Sequence, residues 1–548
     1  MTCFTAIALF CDAQPTFPVV VWLYDLPDLW IPTTMRLPVR VAAKTERGAG
    51  RGIDWLVVTL LLSAATYLYF SLFAFPNTPF LLTGDQTFFW MDGQRMLYGE
   101  QPYRDFFQFT PPGTDFVYFM LFKLLGLHIW VTNLAVLLLG VALSWMCFEL
   151  AGEIMERRLA FLAALLFLVL IYGKVLNGTH HWFSVLAVMC AVRIGQRSST
   201  ATMTFAAGAL LGLASFFTQT RGAVAGLAFA IFLLWKRSDT KETSQALGRD
   251  ELLLFAGFAA VLLILNAHFL AMVGARQLWY YQVTYVGRYM VHGLANRSMG
   301  FPQPLSWDTL PTLAPYLFVH LLLPVIYLVV LWRCWRDRWN SAFRWESVTL
   351  LAMVGLALLM EVASSLNWLR LYTVSMPGIV LLLWTVGRAE KVRRFAVVVV
   401  WVFIAAFAIH QTRSRQAGEH ATLETPGGKT AVSLDTYDKL QSMMLYTEPG
   451  EFLFQAPGPS IYLPLHLRNP VFMDAVEPNQ QTRPEHIARA IQQLEAKKVR
   501  FVLWSRHLDY GDQVERPTED IIPLRTYIRE RYLRVQVFSD QDELWERK

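Results

Sequence analysis

Residues 83–113 read TGDQTFFWMDGQRMLYGEQPYRDFFQFTPPG and follow a long apolar run directly. The stretch holds Asp85, Asp92 and Asp105, two proline-marked turns and a dense set of aromatic residues. Nearly everything before Gln411 is apolar enough for hydrocarbon, so an acidic, aromatic interruption here belongs at a membrane surface. Of the 548 residues, 55% are hydrophobic and 16% charged, where a soluble domain carries about 25% charged residues. We therefore read an all-α polytopic membrane protein. The net charge of +6 does not point to nucleic acid, because the basic residues fall in short clusters between apolar runs, as cytoplasmic loops do. The five cysteines (Cys3, Cys11, Cys147, Cys190, Cys334) show no pairing or zinc spacing.

A membrane span needs about 20 mostly apolar residues. Residues 53–75 qualify first, and Arg36, Arg40, Lys44, Arg47 and Arg51 before them set the N-terminus cytoplasmic. The acidic loop, within residues 76–127, then lies outside. The apolar run 114–126 is too short to cross and reads as an interfacial helix. With that assignment every later basic cluster falls inside, and the spans follow at 128–150, 159–174, 182–195, 202–218, 222–235, 252–273, 313–332, 347–365, 371–387 and 395–410. That makes about eleven transmembrane helices over residues 53–410, in the cell membrane, with the C-terminus extracytoplasmic. Residues 1–52 read as a cytoplasmic tail; 17–30 are too broken by Pro18, Asp25, Pro27 and Asp28 to span, and we expect the true start at Met35. From 411 to 548 the composition is that of a soluble domain. Strands at 450–455, 499–505, 533–538 and 543–546 alternate with helices at 484–498 and 524–531, which predicts a small extracytoplasmic α/β domain.

Asp85 stands just beyond the first span. An Asp there either caps a helix or, partly desolvated at the membrane boundary, accepts a proton from a substrate hydroxyl. The order of Asp85, Gly93-Gln94-Arg95-Met96, Gly99-Glu100-Gln101-Pro102-Tyr103-Arg104-Asp105, Pro111-Pro112-Gly113 and a short helix ending Lys123-Leu124-Leu125-Gly126 resembles the first periplasmic loop of the C-fold (GT-C) integral-membrane glycosyltransferases. That superfamily includes the protein O-mannosyltransferases and the lipid A aminoarabinose transferases. The resemblance implies a polyprenyl-phosphate-linked sugar donor, inversion at the anomeric carbon, and Asp85 as general base. The acceptor is an unspecified glycan, lipid or protein hydroxyl, and membrane lipids are the other partner. Two departures stand out. Gln86 occupies a position that is Glu in many relatives, and Phe109-Thr110 replace the Glu-Lys of the aminoarabinose branch. The lipid phosphate must therefore be held by cations elsewhere or by a divalent ion such as Mg or Mn.

Candidate substrate-binding residues are Arg95, Tyr103 and Asp105 in the loop, then His181, Arg221, Arg288, Arg370 and Tyr372. His180 and His181, being adjacent, point to opposite sides on most backbones, which argues against a shared metal. Arg221, in a short turn between spans, either binds lipid phosphate or snorkels to headgroups. Residues 276–297 form either an aromatic interfacial helix or a lid with Arg288 or His292 facing phosphate. Arg370 and Tyr372 start a span from outside and resemble an Arg-Tyr pair near the donor in this family; Glu361 is a possible partner of Arg370. A transporter or flippase of lipid-linked saccharides is the alternative, but charges at span ends and the lack of internal repeats favour the enzyme.

Overall fold

The structure, a computed structural model, describes residues 54–197, 200–240, 248–290, 321–337, 345–362, 368–389, 391, 393–477, 481–509 and 519–548. The expected start at Met35, the tail 1–52, His292, and the first part of the span expected at 313–332 lie outside these residues.

Helices stand where apolar runs predict them. They are α1 (Trp55–Leu72), α2 (Gln86–Leu97) and α3 (Gly113–Leu125) around the first loop, then α4 (Ile129–Gly152), α5 (Arg157–Leu166), α6 (His180–Arg197), α7 (Ala201–Phe217), α8 (Gln219–Thr240), α9 (Arg249–Val273) and α10 (Ala275–Trp279). After these come α11 (Leu323–Asp337), α12 (Trp345–Val362), α13 (Trp368–Thr373), α14 (Met376–Arg388) and α15 (Arg393–Gln416). Among the described residues, five of them (α1, α4, α9, α12 and α15) are long and apolar enough to cross a membrane by length and composition. Others are shorter or carry charge near an end. α5 widens into π turns over Phe167–Tyr172, and α10 does so over Tyr280–Met290.

Two places differ from expectation. The span expected from 371 is broken: α13 ends at Thr373 and α14 restarts at Met376 with Pro377 in its first turn. Proline lacks an N–H and disfavours helical backbone before it, so it begins a helix more readily than it continues one. Arg370 and Tyr372 thus precede the span on a separate short helix. The other is a hairpin that the alternation pattern missed, β3 (Ala421–Thr425) with β4 (Gly428–Val432), followed by helix α16 (Leu434–Tyr446).

Small residues set the closest helix contact. A Cβ on Gly208 of α7 would lie 2.0 Å from the Leu254 carbonyl of α9, and one on Gly212 would lie 2.5 Å from that of Phe258. In hydrocarbon, association rests on such close approach of backbones. α3 presents Phe116, Met120 and Leu124 exposed on one side, at the spacing of a helix lying in an interface.

Before α2, a short hairpin pairs β1 (Phe73–Ala74) with β2 (Thr78–Pro79). Beyond α16 the chain forms a four-stranded sheet of β5 (Leu453–Ala456), β6 (Phe501–Ser505), β7 (Tyr532–Val537) and β8 (Asp542–Arg547) in the order β5-β6-β8-β7, with β5 and β6 parallel. Short helix α17 (Tyr462–Leu465) and the amphipathic α18 (Pro484–Ala496) and α19 (Ile522–Arg531) complete it. This small C-terminal sheet unit packs on the first loop. Leu81 N donates to Ala431 O at 3.0 Å, Phe107 N to Phe472 O at 2.7 Å, and Gln94 Nε2 to Leu467 O at 3.0 Å. Met91 of α2 is buried in the same core as Leu453, Leu465 and Leu503.

Candidate active site

Gly84 takes a φ of +86°, a conformation that glycine adopts without strain, and turns the chain into α2. Asp85 then stands at the helix start, but its side chain makes no capping hydrogen bond. Its neighbour Gln86 is buried and bonds in both directions: Oε1 accepts from Gly178 N at 3.1 Å and Nε2 donates to Thr83 O at 3.0 Å. An ionised Glu could accept but not donate. The amide therefore ties the loop to the turn before α6 and explains the Gln at this position.

Two cavities meet at Asp85. One, of about 630 Å³, lies between the loop, the helix ends nearest to it and the β3–β4 hairpin, and its walls carry Lys174, Arg415 and His420. The other, of about 330 Å³, is lined by Asp85, Asp92, His180, His181, Arg370 and Asp474, with Phe107, Phe109 and Tyr285 as an aromatic side. Asp85 stays accessible to solvent, yet the surrounding protein strips enough water to lift its carboxyl above the ordinary range, with Arg370 pulling the other way.

Of the candidate residues, Asp85, His181 and Arg370 come together in the lining of the smaller cavity. Arg221 is fully buried behind them, which differs from snorkelling. It pairs with Glu361 at 3.3 Å and donates to His181 O at 3.0 Å and Ser184 Oγ at 3.3 Å. Glu361, considered above for Arg370, thus holds Arg221 and lies within electrostatic reach of Arg370 too. The expectation that His180 and His181 diverge is corrected: their rings lie 3.9 Å apart. His180 is the first residue of α6, where no preceding turn limits its rotamer.

The remaining candidates are not brought to these walls. Arg95 is buried, pairing with Glu100 at 2.7 Å and Asp474 at 3.2 Å, and it joins α2 to the C-terminal unit. Tyr103 is buried and accepts from Gln282 Nε2 at 2.9 Å while donating to Thr110 O at 3.0 Å. Asp105 pairs with Arg104 at 2.7 Å, which holds its carboxyl below the usual range. Arg288 is exposed on the far part of the π turns, and Tyr372 is buried in α13. Among the described residues no three His, Cys, Asp or Glu side chains are grouped to hold a metal.

Residues 110–278 match the family described as dolichyl-phosphate-mannose-protein mannosyltransferase. The structure resembles ArnT from Cupriavidus metallidurans, solved bound to undecaprenyl phosphate, at 13% identity and a TM-score of 0.56, over 90% of this chain and 98% of that one. The chain shares its fold with ArnT, and a part of it matches a mannosyltransferase family. A weaker likeness is to the oligosaccharyltransferase of Archaeoglobus fulgidus, solved with zinc and sulfate, at 14% identity and a TM-score of 0.49, over 83% of this chain and 68% of that one. No curated protein matches the sequence. The family match begins at Thr110, so the part assigned to Asp85 rests on its own geometry.

The structure adds residues that motif reading passed over. Gln108 Nε2 bridges two buried carboxylates, Asp92 Oδ2 at 3.0 Å and Asp115 Oδ2 at 2.9 Å. Burial pushes Asp115 up to about 7 and lifts Asp92 and Asp474 well above the ordinary range. Asp92 follows Asp85 by two turns of one helix, a spacing that could have singled it out. Asp474 carries no local signal and arrives only by tertiary packing.

The raised Asp115 sets a stability slope. The folded state holds a proton that the unfolded chain releases near pH 3.8, so this contribution is full below that pH and is lost as pH rises through about 7. Asp115→Asn is therefore expected to melt above the wild type at pH 8, with the gap narrowing toward pH 5. Thermal unfolding across that range checks it.

Proposed function

We propose that the protein transfers a sugar from a polyprenyl-phosphate donor to an acceptor hydroxyl on the extracytoplasmic face, with inversion. Asp85 accepts the hydroxyl proton as the oxygen attacks the anomeric carbon. The departing lipid phosphate gains negative charge, which Arg370 faces directly and Arg221 supports from behind. The observation that carries this reading is the place of Asp85, uncapped at the junction of two cavities and within the field of Arg370. Two cavities reaching one carboxylate suit a reaction with two substrates. The smaller, with Arg370, fits the donor's sugar and phosphate, and the larger offers the acceptor its approach. The undecaprenyl phosphate seen with ArnT and the dolichyl-phosphate-mannose of the matching family support a lipid-phosphate donor.

The test is to incubate the purified protein in lipid with a panel of polyprenyl-phosphate sugars and follow release of the free carrier. Turnover of at least one, with inverted configuration in the product, is expected. Use of a nucleotide sugar with none of the lipid donors would overturn the reading.

A further inference from the structure

Asp92 plays no part in the proton transfer above, yet it lines the same small cavity as Asp85. It is only 1% exposed. Gln108 holds its Oδ2, while Oδ1 is buried without a hydrogen-bond partner from the protein. Leaving a buried acceptor unmet costs free energy, and here the cost is raised by company. Asp115 shares the same Gln108 amide, and Asp474 lines the cavity as well. The buried cation in the group, Arg95, is already engaged by Asp474 and Glu100.

Packing gives no reason for a carboxylate in that place. A ligand that donates hydrogen bonds does, and strained charge placements concentrate at functional sites for this reason. The cavity, about 330 Å³, is at the lower end of the range for small-molecule pockets, which suits one sugar ring better than a chain of them. Along α2, Asp92 lies two turns from Asp85, roughly 10 Å by helical rise, so a ring between them places its reacting carbon near one carboxylate and its far hydroxyls near the other.

We propose that Asp92 is a specificity-determining residue whose Oδ1 accepts a hydrogen bond from a hydroxyl of the donor's sugar ring, with Gln108 as the positioning residue that fixes the carboxylate. This rests on the glycosyl-transfer reading above.

The test is thermal unfolding of the full-length protein in detergent, with undecaprenyl phosphate alone and with the same carrier bearing mannose, glucose or galactose. In the wild type, at least one sugar-bearing carrier is expected to raise the melting temperature beyond the bare carrier. Asp92→Asn puts an amide NH2 where an acceptor stood. It should keep the shift from the bare carrier, lose at least half of the extra shift from the sugar, and melt no lower than wild type without ligand, because a buried acid crowded by Asp115 and Asp474 is gone. Asp115→Asn removes a similar buried acid outside the cavity and should keep the extra shift. Retention of the sugar-dependent shift in Asp92→Asn, or its equal loss in Asp115→Asn, would overturn the proposal, as would a wild type that responds to the bare carrier and gains nothing from any sugar. A wild type that responds to neither form of the carrier would remove the glycosyl-transfer reading itself, and this one with it.

Discussion

Asp85→Asn is expected to reduce sugar transfer by about 10²–10⁴-fold, the usual contribution of a positioned general base, while leaving folding intact. The reason folding survives is local. The side chain makes no cap bond, and the turn into α2 is made by Gly84 and by backbone bonds, Thr87 N to Gly84 O at 3.0 Å and Phe88 N to Asp85 O at 3.3 Å. None of these needs the carboxylate. The pH profile offers a second check. A base must be deprotonated, so activity falls as pH drops through its pKa, and partial desolvation puts that limb above the ordinary carboxylate range. Arg370 works against this lift, so Arg370→Ala should move the acid limb to still higher pH as well as weakening the hold on phosphate. Initial rates for the three proteins across pH, at saturating donor, measure both effects; near wild-type transfer by Asp85→Asn would remove it from the base role.

Arg95→Ala is expected to have the largest effect on stability, a loss of about 3–5 kcal/mol, as found when one partner of a buried ion pair is removed. Each guanidinium nitrogen has its own partner: Nε donates to Glu100 at 2.7 Å, NH1 to Asp474 at 3.2 Å and NH2 to the Asp105 carbonyl at 3.2 Å, and Phe106 lies against the guanidinium at 4.7 Å. Without it, Asp474 loses its ion-pair partner while Asp92 stays within its electrostatic reach, and the loop loses one of its ties to the C-terminal unit. Arg95→Lys should recover little, since one ammonium does not reproduce a fork with three partners. Adding Asp474→Asn to Arg95→Ala should restore part of the loss by removing an uncompensated charge. Denaturation of the four proteins in detergent checks the series; a fall of under about 1 kcal/mol in Arg95→Ala, the scale of exposed pairs, would count against this role.

The places where sequence and structure agree share a physical cause. A membrane demands long apolar runs, so helices such as α4 and α9 appear in the sequence as such runs. The short apolar run at 114–126 was legible as a non-spanning helix by length alone, and α3 has that length. The C-terminal strands β5 to β8 were visible in the sequence, β5 and β6 as short buried runs. The hairpin β3–β4 was not, since its pairing with the first loop, through Leu81 and Ala431, depends on a partner far away in the chain. The break between α13 and α14 was signalled by Pro377, but the hydropathy of the surrounding run hid it.

The acidic loop at 83–113 shows the same division. By itself the sequence determined that this acidic loop follows a long apolar run and that Asp85 heads its first helix, because hydropathy and helical periodicity are local properties. Only the tertiary structure decided which distant groups meet there. Arg370 from a separate short helix, two adjacent histidines at the head of α6 with their rings 3.9 Å apart, and Asp474 from the C-terminal unit are brought to one cavity by packing between segments hundreds of residues apart. Packing likewise turned Arg95 from a candidate substrate contact into the buried pin that holds the loop against that unit, since a guanidinium takes its role from the charges the fold places around it.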